Sequence, residues 1–281
     1  MSESENHADS TERGGRFAFG KNWQRFLNVL DQSHIDESVA ALRKMLGQES
    51  LEGIRFLDIG SGSGLSSVAA RQLGAEVYSF DFDPQSVSCT TELKRRYFPD
   101  DSEWQIASGS VLNSAFLQEL GTFDVVYSWG VLHHTGSMWE GLGNACGLVK
   151  PGGRLFIAIY QDQGFISKCW RGVKRLYCGS SVGRWFLIPT FFTMFFLTGV
   201  AIDLVHLRNP QTRYREHKKH RGMSLVHDWL DWLGGYPYEV ATVSDITSFL
   251  KQRGFELIRH KPPVIWFGNN QFVFEYSQIG L

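Results

Sequence analysis

The sequence predicts an α/β fold: a doubly wound, mostly parallel sheet of seven strands with an inserted helical cap after the fifth. Three observations predict it. Short apolar runs alternate with amphipathic stretches of helical spacing between Ile54 and Tyr160, a glycine cluster directly follows the first run, and the rhythm stops at Gln161 to resume near Val243. A chain of 281 residues with 43% hydrophobic residues, 14% aromatics and 8 prolines has material for one large core, which excludes global disorder and a fibrous repeat. Lys+Arg number 28 against 29 Asp+Glu, a formal net charge of −1, so no overall electrostatic pull toward nucleic acid exists and no such partner is expected. The four cysteines, at 89, 146, 169 and 178, match neither a CxxC zinc pattern nor a disulfide scaffold, which fits a reducing, cytoplasmic setting.

Residues 1–15 (MSESENHADSTERGG) are polar and acidic with no apolar core, so a disordered tail is expected rather than a signal or an anchor. In 16–50 the apolar spacing breaks once, around Asp31 to Ser33, and predicts two short cap helices. Residues 51–160 form the core. IRFLDIG reads as a strand and LSSVAARQLG as its helix; EVYSFD, a strand near Trp104 to Ala107, FDVVYSW and RLFIAIY supply the next strands. Helices are expected over Pro84 to Tyr97, Asn113 to Leu120 and Met138 to Leu148. The stretch 161–235 is an insertion longer than ordinary connections and therefore expected to be functional. Within 236–281, a helix over Val243 to Arg253 and the strands FELIRHK and QFVFEYS close the core.

The segment Leu57 to Gly64, LDIGSGSG, carries the most chemistry. Glycines at 60, 62 and 64 after a strand let the backbone turn sharply and approach a ligand. The dinucleotide pattern GxGxxG fails, because its third glycine would fall at Ser67, and no Walker lysine follows. Phosphate binding is thus disfavoured. Asp81 ends the next strand, where a carboxylate can accept both hydrogen bonds of a ribose diol. Asp83 competes for that role but reads better as the N-cap of a helix with Pro84 in its first turn.

Here the chain resembles the class I S-adenosylmethionine-dependent methyltransferases, whose first motif is a strand running into D-x-G-x-G-x-G, matched by Asp58, Gly60, Gly62 and Gly64. FDVVYSWGVLHH and LVKPGGRLFIAIY match their fourth and fifth strands, and the likeness covers about Leu51 to Tyr160. It implies a Rossmann-like fold and S-adenosyl-L-methionine as cofactor. It implies cofactor contacts from Asp58, Gly60, Ser61, Gly62, Gly64, Asp81, Phe82, Ser110, Val111 and Trp129, with Asp58 orienting the ammonium group directly or through water and Asp81 holding the ribose. Ser110 stands where the family usually has an Asp beside the adenine, so that carry-over is weaker. The pair His133 and His134 resembles the Glu-His of the 3-demethylubiquinone-type small-molecule O-methyltransferases, and either imidazole suits removal of a hydroxyl proton near neutrality. The [ND]PP[FY] signature of amino-group methylators and the Pro-Cys of cytosine methylators are absent. Tyr160, ending strand five, is a further acceptor-side candidate whose plainer role is core packing.

The resemblance therefore implies an enzyme that methylates a small, lipophilic, hydroxylated acceptor. The alternatives are a protein, peptide or RNA acceptor docked on the basic stretch Arg208 to Arg221, or a cofactor-binding partner without catalysis of its own. In the insertion, basic residues at 168, 171, 174, 175 and 184 lead into eighteen residues without a charge, Trp185 to Ile202, and then into Arg208 to Arg221 with six Lys or Arg against one acid. A hydrophobic block between basic flanks suits an anionic membrane surface contacted through 165–221. A lid over the site and a membrane span remain open beside it, with Pro189 arguing against the span. His217, His220, His227 and Asp228 match no metal-ligand spacing, and no metal is expected. Asp228 and Glu239 are both within plausible reach of the acceptor. Phe17 to Trp23 is expected to pack on the core or to fold over the cofactor.

Overall fold

The computed structural model describes residues 17, 19–212, 225–263 and 268–277. The tail 1–15, His217, His220 and most of the basic stretch 208–221 lie outside them, as do the side chains of His227 and Asp228.

Two helices, α1 (Phe19–Leu27) and α2 (Gln32–Leu46), precede the sheet. Asp31 separates them because its carboxylate accepts the Ser33 and His34 N–H groups, the N-cap of α2, and Gly47 ends that helix in a left-handed conformation. Strand β1 (Arg55–Ile59) leads into α3 (Leu65–Gln72), β2 (Glu76–Asp81) into α4 (Pro84–Tyr97), β3 (Trp104–Ser108) into α5 (Ser114–Leu120), and β4 (Phe123–Trp129) into α6 (Met138–Gly147). Strand β5 (Val149–Tyr160) then opens the insertion α7 (Phe165–Gly179), α8 (Ser181–Val205) and α9 (Leu225–Gly234). Helix α10 (Val243–Lys251) and strands β6 (Phe255–Lys261) and β7 (Asn269–Tyr276) complete the chain.

The seven strands lie in the order β3-β2-β1-β4-β5-β7-β6. The first five run parallel, while β7 is antiparallel to both β5 and β6. This is the predicted doubly wound, mostly parallel, Rossmann-like sheet. The central strands are apolar runs because helices cover both faces. On one face Leu57, Val126 and Ile157 pack with Leu142 of α6 and Ile246 and Leu250 of α10. On the other, Phe56, Val77 and Val125 pack with Ile35 and Leu42 of α2, Val68 of α3 and Leu93 of α4. The order reverses between β1 and β4, and the ends of those strands are where an open α/β sheet leaves a crevice.

Two expectations for the insertion need correcting. Pro189 does not interrupt the apolar run, since α8 is one continuous helix of 25 residues with Pro189 inside it. Lys174, one of the basic residues expected to flank the apolar block toward a membrane surface, is turned inward: it is 2% exposed, donates to the Trp232 carbonyl and sits 5.2 Å from the Trp232 ring. Nothing in the spacing of basic residues distinguishes a lysine whose stem snorkels outward from one that ties two helices together.

Candidate active site

A cavity of about 580 Å³ opens at the carboxyl ends of the parallel strands, a size typical of small-molecule sites, roughly 300 to 1,000 Å³. Each strand delivers residues to it at, or just past, its own end. The turn after β1 brings Gly60 and Gly62, the end of β2 brings Asp81 and Phe82, the segment after β3 brings Ser110 and Val111, β4 brings Trp129, His133 and His134, and β5 brings Tyr160.

The glycine turn requires glycine for two reasons. Residues 60, 62 and 64 have φ of 74°, 56° and 84°, which L side chains rarely adopt. A Cβ at Gly60 would also fall 2.5 Å from Val131, and one at Gly62 would fall 3.0 Å from the Trp23 indole. The turn is two-sided. Gly60 and Gly62 line the cavity, whereas Ser61 bonds Thr90 of α4 at 2.9 Å and a Cβ at Gly64 would meet Thr90 at 2.9 Å. Ser61 and Gly64 thus shape the turn and stay off the cavity wall.

Asp81 is held by the same turn. One carboxylate oxygen accepts the Gly62 N–H and the other the Asp83 N–H, each at 2.9 Å. A carboxylate has about four acceptor positions, so this arrangement is compatible with a bound diol. Asp83 is the N-cap of α4, accepting the Gln85 N–H, and its other oxygen accepts the Gly20 N–H. Asp58 stands back from the cavity. Its carboxylate is 2% exposed, accepts the Ser67 hydroxyl at 2.5 Å and does not reach the cavity wall. Burial pushes its pKa up to about 7, and the charge of Asp81 adds to the shift while the Ser67 hydroxyl opposes it.

At the far end of the cavity the two histidines differ. The Nδ1 of His134 lies 2.6 Å from the Pro237 carbonyl. A carbonyl only accepts, so Nδ1 carries the proton and Nε2 is the basic nitrogen of a ring that lines the cavity. Burial depresses the His134 pKa to about 3, with the Pro237 hydrogen bond opposing and the Lys174 charge assisting. His133 is fully buried and neither ring nitrogen has a hydrogen-bond partner. Burial lowers its pKa well below the ordinary value, and the charges of His134 and Lys174 push the same way; the Ala158 carbonyl is near enough to oppose the shift but not in hydrogen-bonding geometry. Tyr160 stands against His133 with ring centroids 4.1 Å apart, on the cavity wall rather than in the core.

Glu239 does not reach the acceptor end. Its carboxylate accepts the Met138 N–H at the start of α6, where the helix dipole favours an anion, and its own N–H donates to the His133 carbonyl. Phe17, Phe19 and Trp23 line the cavity from above the glycine turn. The sequence reading missed Lys261, Pro262, Asn269 and Gln271, which reach the cavity from β6 and β7. The only signal for them was their position at strand ends beside Tyr160. Among the described residues no group of three or more His, Cys, Asp or Glu could hold a metal.

A family model described as a methyltransferase domain matches residues 32–260. The chain belongs to this methyltransferase family, and S-adenosyl-L-methionine is its cofactor. The ubiquinone biosynthesis O-methyltransferase of Methylocella silvestris is 37% identical over 109 residues, 38% of this chain and 40% of that protein. The tRNA U34 carboxymethyltransferase of Methylococcus capsulatus is 37% identical over 115 residues, 41% of this chain and 34% of that protein. The matched stretches thus span two fifths or less of those relatives. Among solved structures, magnesium protoporphyrin IX methyltransferase from Synechocystis PCC 6803 with bound SAM shares the fold with a TM-score of 0.53 at 14% identity, covering 99% of this chain and 98% of that one. The cavity suits the cofactor: the glycine turn brings backbone to its wall and Asp81 ends β2 beside it.

Proposed function

We propose that this methyltransferase transfers a methyl group to the hydroxyl of a small, lipophilic acceptor, as a cytoplasmic enzyme with peripheral contact to an anionic membrane through 165–221. The observation that carries the reading is His134, a half-buried imidazole on the cavity wall whose proton is fixed on Nδ1 by Pro237, which leaves Nε2 as its basic nitrogen. The cofactor, when bound, supplies an electrophilic methyl on a sulfonium. The protein's share of the reaction is positioning and proton removal.

Gly60 and Gly62 provide the cofactor bed, Asp81 accepts from its ribose, and Phe82, Ser110, Val111 and Trp129 line its cavity. Trp129, 45% exposed, offers an apolar wall between cofactor and acceptor. His134 accepts the hydroxyl proton at Nε2 as the methyl is transferred, when the oxygen bonded to the methyl becomes acidic enough for a base of low pKa, and the Pro237 carbonyl steadies the cation that results. His133, fully buried, packs its ring against His134 and Tyr160 and so holds those two rings at the cavity wall. Phe19, Tyr160 and Trp232 complete an aromatic wall, which favours an apolar molecule and excludes water.

The test is turnover with a panel of hydroxylated aromatics of increasing lipophilicity, comparing wild type with His134→Ala. Loss of a proton acceptor should lower kcat by about 10² to 10⁴ with S-adenosylhomocysteine affinity unchanged. Equal turnover by His134→Ala and wild type would remove the base assignment.

A further inference from the structure

We propose that one face of α7, formed by Arg171, Lys174 and Cys178, is a clamp that fixes which nitrogen of His134 carries the proton, with Lys174 as its central positioning residue. The three stand at i, i+3 and i+7, the spacing that lines side chains along one side of a helix. Each donates to a backbone carbonyl of the same segment, 232–238. The Arg171 Nε reaches the Tyr238 carbonyl at 3.2 Å, the Lys174 Nζ the Trp232 carbonyl, and the Cys178 Sγ the Gly234 carbonyl at 3.1 Å.

The segment begins in the last turn of α9, where a helix has no partners of its own for its carbonyls. Trp232 and Gly234 belong to that turn, so Lys174 and Cys178 supply donors that the helix lacks, and an ammonium group suits the negative end of the helix dipole. Lys174 is held besides between two rings, 5.2 Å from that of Trp232 and 5.1 Å from that of Tyr238. Beyond Gly234 the chain leaves the helix, and its next carbonyls are taken from other sides: that of Tyr236 by the Phe17 N–H at 3.1 Å, and that of Pro237 by His134. The Pro237 carbonyl is thus flanked by carbonyls that α7 holds, Gly234 before it and Tyr238 directly after.

Which nitrogen of a neutral imidazole is protonated is set by the hydrogen bonds that the ring makes. The Nδ1 of His134 lies 2.6 Å from the Pro237 carbonyl, which leaves Nε2 as the basic nitrogen of a ring on the cavity wall. Burial first, and the charge of Lys174 with it, keep that ring neutral, so its tautomer decides whether it can accept a proton from the cavity. Released from Pro237, the ring is free to carry its proton on Nε2, where the basic site is lost. Lys174 also backs the acceptor wall by a second route: Tyr238 packs on Tyr160 at 5.3 Å, and Tyr160 on His134 at 5.6 Å.

The insertion thereby enters the proton handling of the site as well as its wall. The catalytic consequence rests on the reading of His134 as the base; the hold on its tautomer does not.

Nuclear magnetic resonance of the full chain, with histidine isotopically labelled at its ring nitrogens, tests the clamp, because each nitrogen reports whether it is protonated. The His134 signals are those missing from His134→Ala. The wild type should show a single tautomer with the proton on Nδ1. Lys174→Met keeps an apolar stem and removes the donor; its His134 proton should be shared between the two nitrogens, and its kcat on hydroxylated aromatics should fall by about tenfold or more with S-adenosylhomocysteine affinity unchanged. Arg171→Ala, at an exposed position, should move the same signals in the same sense, and it carries the test if Lys174→Met does not fold. Lys168→Met removes an exposed base from the same helix and should leave every reading at its wild-type value. Wild-type signals in Lys174→Met or in Arg171→Ala, an equal shift in Lys168→Met, or a wild-type ring protonated on Nε2 would each overturn the proposal. Turnover by His134→Ala separates the two readings. If that variant is as fast as wild type while Lys174→Met still frees the tautomer, the base assignment falls and the clamp stands; if it is slow while Lys174→Met keeps the wild-type signals, the clamp alone falls.

Discussion

The proton on Nδ1 of His134 decides how the site responds to pH. With its pKa depressed to about 3, the imidazole is neutral throughout the working range, unlike a free histidine that gains its proton near pH 6.5. The acid limb of kcat/KM should therefore lie well below about pH 6.5, with any fall nearer neutrality belonging to the acceptor; a limb at the ordinary histidine value would contradict the geometry. Asp58 makes a second, opposite statement. Its pKa is raised from 3.8 to about 7 in the native state, so its contribution to stability is full below the unfolded value and is lost as pH rises through 7. Asp58→Asn keeps an acceptor for Ser67 and removes the titration. In thermal melts without cofactor, its stability relative to wild type should climb between about pH 4 and 7, by up to about 1.4 kcal/mol per pH unit, and then level off. A pH-independent difference would show that Asp58 does not titrate there. Among residues, the glycine turn and Asp81 stood out by their place at strand ends, while Ser110, Trp129 and both histidines were marked only by the resemblance to the class I methyltransferases; Gly60, Gly62 and the rest line the cavity. Which of two adjacent histidines has its nitrogen fixed was not, since the fixing group is a carbonyl 103 residues away.

Helix α1 shows how an element closes a site through a single close contact. The Gly20 N–H donates to Asp83, the N-cap of α4, and a Cβ on Gly20 would fall 2.4 Å from that carboxylate oxygen. Trp23, a turn later, rests on Gly62, and Phe19 stands 5.0 Å from the His134 ring. One short helix thus touches the glycine turn and the proposed base together. Gly20→Ala leaves helix propensity improved but forces α1 away from Asp83. Affinity for S-adenosylhomocysteine should fall by about tenfold while the melting temperature changes little; undiminished affinity would mean that α1 does not help to hold the cofactor. The helices and strands themselves were readable from apolar periodicity and caps, to within a residue or two for α4, α5 and α6. Periodicity could not read α8, where apolar residues surround the helix and a proline sits inside, nor the inward turn of Lys174.

At the scale of the molecule, the sheet and the cap divide the labour. The sheet, which the alternation of strand and helix foretold, brings the residues proposed for the cofactor to the cavity from four strand ends, those of β1 to β4. The cap, a departure from that alternation, supplies Trp232 and leads into Tyr236 and Pro237, the aromatic and carbonyl groups that build the acceptor end. Sequence marked the cap as unusual but could not fold it, because its contacts are between aromatics with no pattern of spacing. The most direct measurement is calorimetric titration of S-adenosylhomocysteine into wild type, Asp81→Asn and His134→Ala. The account predicts saturable one-site binding by wild type, about tenfold or greater weakening in Asp81→Asn, and no change in His134→Ala. Absence of binding by wild type, or full affinity in Asp81→Asn, would contradict the assignment of this cavity to the methyl donor.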